Sequence, residues 1–111
     1  METINSQFVM TILEKHSSYM WVRGISGYFV FDAKVYYTGS KNSIRKGRIS
    51  KLFIWRNAAR QGGSRWIAIY DCGWDIHPQK DYRQFVEYIV GLLEVLPPPE
   101  ELALSRKEDS C

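Results

Sequence analysis

The stretch MWVRGISGYFVFDAKVYY, Met20–Tyr37, decides how this chain is read. Beyond Gly27 its side chains alternate. Phe29, Phe31, Ala33, Val35 and Tyr37 fall on one side, and Tyr28, Val30, Asp32, Lys34 and Tyr36 on the other. A period of two is the mark of a strand with one buried face. Trp21 and Val22 begin a strand ahead of it and GISG supplies a turn, so the two runs read as an antiparallel hairpin.

Towards the C-terminus, TGSKNSIRKG is a polar loop bounded by glycines. RISKLFIWR predicts a third strand and RWIAIYD a fourth. NAARQGGS joins them, with Gly62-Gly63 marking a hairpin loop longer than two residues. DYRQFVEYIVGLLEVL is an amphipathic helix with a stripe of Phe85, Ile89, Leu92, Leu93 and Leu96, widened by Val86 and Val90. Pro97, Pro98 and Pro99 stop it. Towards the N-terminus, Ile4, Phe8 and Ile12 recur every four residues with Val9 and Leu13 beside them. That spacing predicts a first helix over TINSQFVMTILEKHSSY, capped by Thr3 or Asn5. The expected architecture is α+β: a single two-layer domain over residues 1–97, with an N-terminal helix, a four-stranded antiparallel meander and a C-terminal helix packed on one face. Residues 98–111 are expected to form a mobile tail.

A chain of 111 residues with 45% hydrophobic and 14% aromatic content has enough apolar surface for one modest core. No apolar run nears the roughly 20 residues that cross a bilayer. The N-terminus lacks the basic and small-residue pattern of a signal peptide, and two cysteines make no disulfide framework. A cytoplasmic, reducing setting without membrane contact is the expectation. Net charge is only +3, but it is segregated. From Ala33 to Tyr70 there is no Asp or Glu, while Lys34, Lys41, Arg45, Lys46, Arg48, Lys51, Arg56, Arg60 and Arg65 all lie there. Such segregation points to an anionic partner or to self-association between basic and acidic parts.

The segment DCGWDIHPQKDY, Asp71–Tyr82, gathers Cys72, His77 and three aspartates. A nucleophilic cysteine needs a base and an electropositive setting. Here Asp71 and Asp75 would oppose a thiolate, and no oxyanion motif accompanies it. Metal-ligand spacing and a phosphate-binding glycine loop are also missing. The segment reads instead as a strand-to-helix junction. Asp71 and Asp75 brace a turn at Gly73, Trp74 plugs the seam, and Asp81 favours the first helical turn. No catalytic residue, metal or cofactor is assigned, and the chain is not expected to be an enzyme. The feature with weight is the acid-free block, where Lys46, Arg48, Lys51, Trp55, Arg56, Arg60, Arg65 and Trp66 are the expected partner-binding residues. Cations neutralise phosphate or carboxylate, and exposed Trp anchors protein interfaces or stacks on bases. The block lacks the consensus of RNA-recognition sheets, so any nucleic-acid signal in it is nonspecific.

WVRG, then FDAKVYY, GRISKLFI and YDCGWDIHP together resemble a small uncharacterised domain of bacteriophages and their bacterial hosts. That family's pattern runs WVxG, FxAKVY, GRISKLxI and YDxGWDIxP, and it covers Trp21 to Pro78 here. The resemblance brings no activity and no catalytic residues. It implies a phage-type accessory protein, of the kind that inhibits a host defence complex, CRISPR-like or another nuclease, by occupying a surface. Two rivals stand beside that expectation: direct nucleic-acid binding by a basic, aromatic sheet face, and sequestration of a nucleotide signal in a pocket at a homo-oligomer interface.

Overall fold

The computed structural model of the chain describes residues 8–58 and 63–98. The hairpin is present: β2 (Tyr19–Ser26) pairs with β3 (Phe29–Tyr36), with Val22 opposite Ala33 and Gly24 opposite Phe31. Its turn is tighter than GISG, because only Gly27 and Tyr28 lie between the strands. Gly27 takes φ +59°, the conformation a two-residue hairpin loop asks of glycine at its first position. Gly24 stays in the strand for a different reason. The Phe31 ring lies over it, and a Cβ there would stand 2.2 Å from the ring.

The sheet continues in chain order on both sides. β1 (Val9–Lys15), β4 (Ile49–Ala58), β5 (Gly63–Asp71) and β6 (Trp74–Ile76) complete a six-stranded antiparallel meander, and α1 (Arg83–Glu94) follows. The fold is α+β, as expected, but two elements differ. The predicted N-terminal helix is the strand β1. A spacing of four keeps side chains on one face of a helix, and it does so equally on a strand, where four is twice the period. Ile12 following Phe8 therefore could not discriminate. Phe8 and Met10 pack on the core, the Phe8 ring lying edge-on to Phe31 at 5.2 Å, while Val9 between them is exposed. The proposed caps Thr3 and Asn5 lie outside the described residues. The second correction is β6, which makes the sheet six-stranded rather than four-stranded. Three residues are too few to show a period, so WDI carried no strand signal.

The helix begins at Arg83, after a 3-10 turn over Lys80–Tyr82. Asp81 therefore sits in that turn, and the first turn of α1 carries no acid. The core lies between α1 and one face of the sheet. Phe85, Val86, Ile89, Val90 and Leu93 meet Val22, Phe31, Ala33, Val35, Ile49, Leu52, Ile54, Ala68 and Tyr70. Each large side chain so buried contributes about 1.5–3 kcal/mol.

Candidate binding surface

The opposite face of the sheet is also largely apolar, and no described element covers it. Register builds it row by row. Val9, Ile25, Val30, Trp55 and Trp66 lie across one line of the sheet; Arg23, Asp32, Phe53, Ile69 and Ile76 form the next; Trp21, Lys34, Lys51 and Asp71 form a third. Trp55 and Trp66 meet edge-on at 5.6 Å, and Phe53 reaches Trp66 at 6.4 Å, giving an aromatic ridge with Trp66 49% exposed. A β-bulge makes the ridge. In RWIAIYD, alternation alone would put Trp66 with Ala68 and Tyr70 against the helix. Because the register shifts between Ile54 and Trp55, Ile67 is passed over and Trp66 comes opposite Trp55.

The cations of this face are engaged within the fold. Arg23 donates from Nε and Nη2 to both oxygens of Asp32, at 2.7 and 2.8 Å, and those bonds raise its pKa. Lys51 forms an ion pair with Asp71. Lys34 is 6% exposed, with its ammonium 4.2 Å above the Tyr19 ring and 5.2 Å from that of Tyr36. Ringed by such pairs, the ridge presents apolar surface with little net charge.

The eight expected binding residues are thus not brought together. Lys51, Trp55 and Trp66 share the uncovered face. Arg56 and Arg65 stand opposite each other across β4 and β5 on the helix side, both exposed. Lys46 is exposed in the loop before β4 with φ +57°. Arg60 lies outside the described residues. Arg48 is structural: Nε donates to Tyr36 O and Nη1 to Glu94 O, both at 2.8 Å, while its backbone N–H meets the Glu94 carboxylate at 2.9 Å. Gly47 makes that approach possible, since a Cβ there would lie 2.4 Å from Glu94 Oε2. Phe53, Ile25 and Ile69 were missed as surface residues. For Phe53 and Ile69 the signal was the unbroken apolar runs LFIW and WIAIY, which describe strands apolar on both faces.

The junction segment turns at Gly73, but its aspartate side chains do not brace it as expected: the Asp71 carboxylate pairs with Lys51 and Asp75 lies in β6. Asp71 N–H donates to Gly73 O at 2.7 Å, closing the turn, and Cys72 takes φ +60° there. Trp74 packs edge-on to Tyr70 at 5.2 Å and stacks on His77 at 5.3 Å. Around them lies an open cleft of about 500 Å³, lined by Arg45, Trp74, His77, Arg83, Val86 and Glu87. Arg45 crosses it in a bidentate pair with Glu87, at 2.8 and 3.0 Å, which holds the Glu87 carboxyl below its ordinary value. Among the described residues no group of three or more His, Cys, Asp or Glu could hold a metal ion. No described helix is long and apolar enough to cross a membrane.

Residues 20–94, from β2 to the end of α1, match the family described as a domain of unknown function, DUF7678. The chain belongs to that family. No curated protein and no solved structure matches it. The match leaves β1 outside. Within it, the motif residues of the sequence resemblance do structural work: Ala33, Val35 and Leu52 fill the core, Arg48 and Gly47 seat the end of α1, Lys51 holds Asp71, and the Tyr70 hydroxyl donates to Asn42 O at 2.9 Å.

Proposed function

We propose that this chain is a non-enzymatic binding module that acts by laying its uncovered sheet face on a partner protein. The observation that carries this reading is the Phe53–Trp55–Trp66 ridge, on a face whose cations are already engaged: Arg23 with Asp32, Lys51 with Asp71 and Lys34 with the Tyr19 and Tyr36 rings. Such a face gains most from burying apolar area against a protein and little from phosphate contacts. A host defence or nuclease complex is the partner class the phage-type resemblance implies. That partner class is part of the proposal.

The test compares wild-type chain with the Trp55→Ala/Trp66→Ala double variant as bait in nuclease-treated host lysate. A protein retained by the wild type and lost with the variant supports the reading, and its affinity should vary little with salt. Bound nucleic acid, or affinity falling steeply with salt, would overturn it.

One observation favours a second reading. Arg56 and Arg65 oppose each other across the ladder, an arrangement of like charges that costs stability and that an anion would relieve. A nucleic acid or nucleotide held there would be released by Arg56→Glu and untouched by the tryptophan variant.

A further inference from the structure

β1 is an edge strand, and its Val9–Ile12 half, ahead of the bulge that shifts the register between Ile12 and Glu14, lacks the features that usually keep edges from pairing. It contains no proline, and its first charged residue is Glu14. Val9 is 72% exposed, and Ile12 and Leu13 are each 45% exposed, so apolar side chains meet solvent along the strand.

The direction of its backbone groups follows from its neighbours. His16 N–H donates to Tyr19 O at 2.8 Å, so odd-numbered residues of β2 face β1. Tyr37 N–H donates to Ser18 O at 3.0 Å, so even-numbered ones face β3. Val9 and Thr11 are opposite Ile25 and Arg23, and they therefore hold the bonds to β2. Met10 and Ile12, opposite Gly24 and Val22, direct their N–H and C=O groups away from the sheet.

We propose that this edge joins two copies of the chain, by antiparallel pairing of β1 with β1 about a two-fold axis at Thr11. In that register Met10 of one copy bonds Ile12 of the other, and Ile12 bonds Met10, so the four outward-facing backbone groups of Met10 and Ile12 in each copy are used. Met10 and Ile12 then meet as apolar neighbours on the core side, and Thr11 meets Thr11 on the other side, a favourable cross-strand pair. Glu14 falls opposite Phe8, so no like charges are opposed. This fit of the strand to itself under a two-fold argues for a second copy over an unrelated extended peptide. The product is a continuous twelve-stranded sheet with both aromatic ridges on one side. The inference does not rest on the partner proposed above, and it uses a strand outside the matched residues 20–94.

The test is the mass of the full chain by light scattering from micromolar to millimolar concentration, with amide hydrogen exchange read residue by residue. A dimer is expected, with the Met10 and Ile12 amides slowing about tenfold or more as it forms while Thr11 stays protected throughout. Thr11→Lys sets two ammonium groups face to face at the axis and should weaken the dimer by about tenfold or more. Ile12→Pro removes an N–H that β2 does not use and should give a folded monomer. A single-chain mass at every concentration overturns the proposal. So does a dimer whose Met10 and Ile12 amides exchange as fast as in dilute solution, or one indifferent to Thr11→Lys.

Discussion

The two faces of the sheet are both apolar, yet only one is closed. On the helix side Phe31, Ile54 and Leu52 have no exposed surface, because α1 lies over them. On the other side Trp66, Ile25 and Val9 remain in contact with solvent. Apolar surface on both faces with unequal cover separates what holds the fold from what is free to bind. A single 12-residue helix cannot cover six strands, let alone both of their faces.

Breaking the covered face should cost the most. Phe31→Ala opens a cavity under α1 and is expected to lower unfolding free energy by about 3–5 kcal/mol, read by urea denaturation. A loss as small as that of Trp66→Ala would erase the distinction between the faces. Gly24→Ala drives a methyl into the Phe31 ring and should cost about 1–3 kcal/mol in the same assay. Glu94→Ala strips the Arg48 N–H of its acceptor where sheet and helix join, and should cost about 1–3 kcal/mol.

On the open face the expectation reverses. Trp66→Ala should change stability by about 1 kcal/mol or less, yet remove partner retention. The smallest effect belongs to the exposed Arg45–Glu87 pair, worth about 0.5 kcal/mol once solvent screening is allowed for. Because Glu87 titrates below its ordinary 4.5, its contribution is present above that value and lost as pH falls through the lowered one. The urea midpoints of wild type and Glu87→Gln should therefore converge on acidification.

Much of this was legible in residue pattern, and the failures have identifiable causes. The strict alternation after Gly27 and the 3.6-residue stripe ending at three prolines each admit one reading, and both elements formed. The N-terminal spacing admitted two, and the helix was the wrong one. Long contacts chose between them, since Phe8 reaches Phe31 and Phe85 only from an extended chain laid along β2. The acid-free block was legible as charge but not as surface. Asp32 and Asp71, the acids that engage Arg23 and Lys51, come from neighbouring strands and stand just outside the block in sequence.

By itself the sequence determined an α+β fold with a β2–β3 hairpin and a C-terminal helix, because periodicity and breakers are local properties. Only the tertiary structure decided which aromatic residues stay in solvent. A one-residue shift in register moves a side chain to the other face. The bulge at Ile67, where β4 pairs with β5, turned Trp66 outward to meet Trp55.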